Sequence, residues 1–200
     1  FTKFMSEHMD SGKMQMFVAG GGGGTGGGFI CPAVKLAKER GFKVGVIYTL
    51  PTKMMGPLAA ANALSTLKQL KQIDLNCFIL VDNEHLINRV GLSSNWWKNT
   101  NQAIVANVAS VFDLLRPGKI THSGLGSIDK GEILRIMQAG KGNIDIRTFH
   151  FTLEDFKLEN KDLMKKLFEP IMISGYDYKS TLSYLVGVDV PVKGSYTEQS

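Results

Sequence analysis

Residues 20–28 read GGGGGTGGG, with eight glycines in nine positions. Glycines let a backbone approach a ligand with no Cβ in the way. Successive N–H groups ahead of a helix can cradle the oxygens of a phosphate. A second candidate is the carboxylate pair Asp129 and Glu132, within SIDKGEILRIM, Ser127–Met137. Paired carboxylates suit general acid–base work. The same two residues also read as a capping box, Asp129 at the N-cap and Glu132 three residues on, which needs no catalysis. Trp97 and Asn101 stand four apart at a helix entrance and so lie on one side of it. Trp96-Trp97 also reads as a hydrophobic staple over the helix start. Asn83, in Val81-Asp82-Asn83-Glu84, is a polar group at a strand end, and equally an Asn in a turn.

These residues need elements to position them. Met14–Val18 is an apolar run that reads as a strand entering the glycine loop. Pro32–Arg40 reads as a helix, with Pro32 in its first turn and Gly41 at its C-terminal end. Phe42–Tyr48 is the next strand. Leu58–Lys71 is the next helix, with Leu64, Leu67 and Leu70 on one stripe. Cys77–Val81 is apolar throughout, as in strands covered on both faces. This alternation predicts an α/β fold with a doubly wound, mostly parallel sheet. A long helix follows over Thr100–Arg116 and ends at Pro117-Gly118. Another helix is predicted over Lys130–Ala139. Beyond Gly142 the pattern changes to a strand over Asn143–Phe151, a helix over Leu153–Phe168 and a strand over Thr181–Val190, part of an α+β unit. The expected organisation is therefore 1–116, a nucleotide domain with its long helix; 117–142, a connection; and 143–200, part of a second domain.

The net charge is +5 with scattered lysines, which does not itself indicate nucleic-acid binding. Cys31 and Cys77 sit in apolar runs and read as small buried hydrophobes. The four histidines are dispersed, so no metal-ligand set is expected. No apolar run reaches membrane-spanning length.

Three chemistries compete for the glycine loop, beside a plain flexible linker. The dinucleotide fingerprint G-x-G-x-x-G is matched by Gly21, Gly23 and Gly26, but in so many glycines a match is nearly automatic. That fold also wants a carboxylate after the next strand, which instead ends Tyr48-Thr49-Leu50. The Walker pattern needs Gly-Lys-Ser/Thr, and here Phe29-Ile30-Cys31 follows. The third version fits. Gly22-Gly23-Gly24-Thr25-Gly26-Gly27-Gly28 resembles the tubulin/FtsZ signature, with Gly27 where that family usually has a hydroxyl residue.

The resemblance runs on in order along the chain. Asn83 stands where the family contacts the nucleotide sugar and base. Trp97 takes the place of the aromatic that stacks on guanine, and Asn101 that of the group reading the base edge. Trp96 is the substitute if the alignment shifts by one. Asp129 and Glu132 take the acidic positions of the catalytic loop, with Ser127 replacing its usual Asn. The resemblance implies a GTPase that binds GTP or GDP at Gly22, Gly23, Gly24, Thr25, Gly26, Gly27, Asn83, Trp97 and Asn101. It implies Mg2+ on the phosphates, with no metal-ligating side chain assigned. It also implies self-association head to tail, so that Asp129 and Glu132 enter the next subunit's pocket and activate water there. Filaments in the bacterial host cytoplasm would follow, with no direct membrane contact. The deviant motifs look most like the plasmid and phage TubZ branch, which works through a DNA-binding adaptor protein. A cell-division FtsZ-like protein and a filament without hydrolysis are the alternatives. A nicotinamide-dependent oxidoreductase lacks its ribose carboxylate. Two departures stand out. The loop Pro51–Pro57 lacks the family's Glu and Arg. Only 18 residues precede Ala19, so an internal segment of a longer protein is expected.

Overall fold

Three largely apolar segments and one short pair of residues meet side by side in one parallel sheet, of strand order β1-β2-β3-β4. They are β1 (Met14–Gly20), β2 (Lys43–Leu50), β3 (Cys77–Asp82) and β4 (Asn143–Ile144). The computed structural model describes residues 2–10, 12–114, 131–132, 135–136, 143–146, 159–167, 169 and 171–173. Asp129, Ser127, the Pro117-Gly118 break and the strand predicted over Thr181–Val190 lie outside these residues.

The register is regular. Met14 faces Lys43 and Gly20 faces Thr49 across β1 and β2, and Gly45 faces Cys77 and Leu50 faces Asp82 across β2 and β3. β4 joins through Phe78 opposite Asn143 and Ile79 opposite Ile144. Parallel neighbours need crossovers. These are the helices α2 (Gly24–Glu39) and α3 (Gly56–Leu70), the latter preceded by a 3-10 turn at Lys53–Met55. After β3 come α4 (Asn83–Val90) and α5 (Trp96–Leu114). A short α1 (Thr2–His8), which the periodicity does not announce, precedes β1. α6 (Asn160–Leu167) lies within the helix predicted over Leu153–Phe168 but begins later, since Glu159, which is described, is not helical.

Two apolar clusters hold the layers. In one, Met5 of α1 and Ile30, Val34 and Ala37 of α2 close over Val44, Val46 and Tyr48 of β2. In the other, Ile47, Cys77, Ile79 and Val81 meet Leu86 of α4 and Ile146, Ile171 and Met172. The Asp82 N–H donates to the Met172 carbonyl at 2.7 Å, tying the end of β3 to that segment.

Two predicted features are corrected. α2 begins at Gly24, not Pro32, so four glycines of the loop are helical and Pro32 lies inside the helix. The reason is tertiary. The first turn of α2 presses so closely on the end of β1 that packing, rather than intrinsic propensity, decides the conformation there. Gly41, at φ 82°, ends the helix as the sequence suggests. The buried stripe of α3 is Ala59, Ala63, Thr66 and Leu70. Leu64 of the predicted stripe is exposed and Leu67 half-buried. Small residues on the true stripe let α3 lie close to the glycine turn.

Candidate functional site

In open parallel α/β sheets ligands collect outside the carboxyl ends of the strands. Here three loops gather at that edge: Gly20–Gly24 after β1, Pro51–Met55 after β2, and Asp82–Glu84 after β3. The ends are tied together, since the Gly21 N–H donates to the Thr49 carbonyl at 2.9 Å.

The glycines divide into two kinds. Some are required by the fold. A Cβ on Gly21 would overlap the phenol oxygen of Tyr48, and one on Gly26 would stand 2.5 Å from the Gly20 carbonyl oxygen. Others face open space, with nothing within 4 Å of a Cβ on Gly23, Gly24 or Gly28. Gly23 is the N-cap of α2 and offers no side-chain cap. The first intrahelical bond runs from the Gly27 N–H to the Gly23 carbonyl at 3.2 Å. The N–H groups of Gly24, Thr25 and Gly26 therefore have no acceptor within the helix, and the helix dipole adds positive potential beside them. Thr25 is exposed at the same place. An open face, free donors and a helix start together fit a phosphate group.

The loop after β2 carries no acid of its own. Glu84, in the first turn of α4, reaches across to it instead. Its carboxylate accepts from the Lys53 N–H at 2.9 Å and stands 3.8 Å from the Lys53 ammonium. The loop in turn covers the glycines, since Met55 Cε and Pro51 Cβ both lie 3.0 Å from where a Cβ on Gly22 would be. Asp82 caps α4, accepting from the N–H groups of Glu84 at 3.0 Å and His85 at 3.3 Å. Asn83 is the first residue of that helix and is half-buried.

Trp97 and Asn101 share one face of α5. With Gln102 and Val105 they line a shallow, open apolar hollow formed by this one helix, and Trp97 is 55% exposed. No glycine-loop residue lines this hollow. A separate hollow of about 230 Å³ lies between β1 and α2, lined by Val18, Thr25, Gly26 and Phe29 among others. The structure thus pairs Trp97 with Asn101 but does not join that pair to the glycine loop in a single cavity. Glu132 is helical and exposed, and its partner Asp129 lies outside the described residues. Among the described residues no group of three or more His, Cys, Asp or Glu could hold a metal ion, and no helix is long and apolar enough to cross a membrane.

Buried groups beneath the site stay neutral. Burial raises the Tyr48 phenol above its ordinary value and does the same for the Cys31 thiol. It pushes the Cys77 thiol up to about 12. The sequence reading missed Tyr48, Thr66 and Glu84. A signal existed for Thr66, the one polar residue on the buried stripe of α3, because a buried hydroxyl needs a partner.

The architecture is that of the tubulin/FtsZ nucleotide-binding fold, and residues 3–91 match the Tubulin/FtsZ family, GTPase domain. An FtsZ dimer from M. jannaschii superposes with a TM-score of 0.57 at 26% identity, over 71% of this chain and 40% of that one. A GTPγS-bound CetZ2 protofilament from Haloferax volcanii gives 0.54 at 25% identity, over 72% and 41%. The TubZ of Clostridium botulinum phage c-st gives 0.51 at 19% identity, over 68% and 42%, a likeness of fold alone. The chain thus spans about two fifths of the length of these solved chains. No curated protein matches it by sequence.

Proposed function

We propose that this chain is part of a tubulin/FtsZ-like GTPase that assembles head to tail and hydrolyses GTP where two subunits meet. One observation carries the reading. An open-faced glycine turn with free N–H donors stands at the carboxyl edge of a parallel sheet, inside the stretch that matches the GTPase domain. The phosphates would lie against Gly22–Gly27, with Asn83, Trp97 and Asn101 toward the sugar and base. Mg2+ bound with the nucleotide would offset charge on its β- and γ-oxygens. Asp129 and Glu132 would act on water in the neighbouring subunit's site. The division at 116 and 142 into nucleotide domain, connection and second domain belongs to the same reading.

Within the family we place the chain nearest the TubZ branch, acting in plasmid or phage DNA segregation through a DNA-binding adaptor, in the host cytoplasm. The deviant glycine ending, Asp82-Asn83-Glu84 and Ser127-Ile128-Asp129 support that placement. A filament without turnover is favoured by one feature, the loop Pro51–Pro57 with neither Glu nor Arg.

GTP turnover by the complete protein, measured against protein concentration with light scattering in parallel, tests this. Activity rising with scattering from a critical concentration supports a site shared between subunits. Activity proportional to concentration without scattering refutes the shared site. Scattering without any nucleotide dependence establishes the non-hydrolysing filament.

A further inference from the structure

Two buried hydroxyl groups stand directly beneath the glycine loop. Tyr48, on β2, is fully buried, and its hydroxyl donates to the Ala63 carbonyl of α3 at 3.2 Å. Thr66, one turn further along α3, is 6% exposed, and its hydroxyl donates to the Gly27 carbonyl at 3.1 Å. A hydroxyl in an apolar interface costs desolvation unless it is bonded, so its partner fixes where the neighbouring backbone sits. The partners here are α3 itself and the loop.

The contacts fall at the two ends of the turn. At its start, Gly21 lies so close that a Cβ there would meet Tyr48 Cζ at 2.6 Å and the Ala63 Cβ at 2.9 Å. At its end, a Cβ on Gly27 would meet the Thr66 hydroxyl oxygen and the Gly21 carbonyl oxygen, each at 3.2 Å. Between these clamped ends lie the open faces of Gly23 and Gly24. The Cys31 thiol adds a long contact to the Thr66 carbonyl at 3.8 Å, so α2 and α3 are joined again one turn on.

We propose that Tyr48 and Thr66 are positioning residues that hold the glycine loop in its phosphate-binding shape from below. The inference rests on the nucleotide reading given above and deepens it. A polyglycine turn has more conformational freedom to lose than any other sequence. Its N–H groups converge on one anion only if something outside the turn fixes both ends. Neither hydroxyl need touch the nucleotide. Thr66 acts through the Gly27 carbonyl, and Tyr48 through its packing under Gly21.

The test uses the complete protein, with dissociation constants for GTP, GDP and guanosine measured by calorimetry. Thr66→Val keeps the shape and removes the donor, and is expected to weaken GTP and GDP by roughly tenfold while leaving guanosine unchanged. Thr66→Ser restores the donor and is expected to return both nucleotides close to wild type. Thr66→Ala replaces Thr66→Val if the latter does not fold. Wild-type affinity for GTP in the folded donor-less variant overturns the inference, and so does an equal loss for guanosine. If the wild-type protein binds GTP and only the variants are silent in effect, the nucleotide reading stands and this inference falls. If the wild-type protein binds none of the three ligands, both fall together.

Discussion

A Cβ on Gly26 would stand 2.5 Å from the carbonyl oxygen of Gly20, so the first turn of α2 and the last residue of β1 meet backbone to backbone. Neither side of that contact can rotate away. Gly26→Ala is therefore expected to cost ~1–3 kcal/mol, as overpacking in a close-packed interior does, read from the urea midpoint. Gly28 is also helical, but nothing lies within 4 Å of its Cβ position. Gly28→Ala is expected to gain up to ~1 kcal/mol from helix propensity. Gly24→Ala separates fold from ligand, since its Cβ position is likewise open. It should leave the urea midpoint near wild type and weaken GTP binding. Wild-type GTP affinity in Gly24→Ala would move the phosphates away from this turn.

The same contact shows what a sequence can and cannot display. β1, β2 and β3 were legible because apolar runs bounded by polar residues mark strands whichever way they pack. α3 was legible as a helix but its stripe was not. Leucines suggested the face, whereas Ala59, Ala63 and Thr66 form it, because α3 must approach the glycine turn closely. The start of α2 was hidden for a related reason. Eight glycines argue against a helix by propensity, yet Gly26 is helical because only a residue without Cβ fits against Gly20. α1 escaped notice since, among its described side chains, only Met5, fully buried, joins the first cluster. In the site, the shared face of Trp97 and Asn101 followed from their spacing. Glu84 did not, because its partner Lys53 is 31 residues away in the chain.

Glu84 supplies the acceptor that organises the turn at Lys53–Met55. Glu84→Ala is expected to cost ~1 kcal/mol, the net worth of the hydrogen bond from the Lys53 N–H. Glu84→Gln keeps an acceptor and loses only the charge. Its ion pair with Lys53, at 3.8 Å to an exposed ammonium, adds little in water. Urea titration of the two variants checks the order, with Gln close to wild type and Ala below it. Equal losses would assign the effect to the charge.

Alkaline pH should destabilise the fold in a stated direction. Burial raises the Cys77 thiol from an ordinary value of 9.0 to about 12. Above the unfolded value the unfolded chain loses this proton while the folded chain keeps it. The unfolded state then binds fewer protons, so stability falls as pH rises through that window. The slope for one such group is ~1.4 kcal/mol per pH unit. The Cys31 thiol and Tyr48 phenol, both raised by burial, act in the same sense. Urea midpoints between pH 8 and 10 should decline, and Cys77→Ala should flatten that decline even if it lowers the midpoint throughout. An unchanged slope in Cys77→Ala would remove Cys77 from the account.

Trp97, more than half exposed and on one face of α5 with Asn101, would report optically on a bound base under the proposed reading. Its fluorescence in the complete protein is expected to be quenched by GTP or GDP, since stacking on a purine changes both its environment and its exposure. Trp97→Phe should remove the signal and Trp96→Phe should leave it. Loss of the signal in Trp96→Phe alone would move the stacking residue by one position. Asn101→Ala should retain the quench with guanosine nucleotides and lose discrimination against adenosine nucleotides. Quenching of equal size by ATP in the wild-type protein would count against guanine recognition at this face.

Under the proposed shared-site reading, Asp129 and Glu132 would decide whether an assembly hydrolyses the GTP it binds. Under the shared-site reading they lie across the subunit boundary from the phosphates they act on. Asp129→Ala and Glu132→Ala in the complete protein should therefore bind GTP as the wild type does, assemble, and turn over at least ~100-fold more slowly, the usual contribution of a positioned acid or base. Their polymers should outlast those of the wild type, because nucleotide state would no longer change with time. Mixing the two variants tests the geometry further. Each subunit then presents one lesion to its neighbour's site, and no arrangement restores an intact pair, so activity should stay low. Mixing either variant with a subunit defective at Gly24 is different. An intact acidic loop can then meet an intact glycine turn at some interfaces, and activity should partly return. Full hydrolysis in both single variants would leave these carboxylates only the capping-box role.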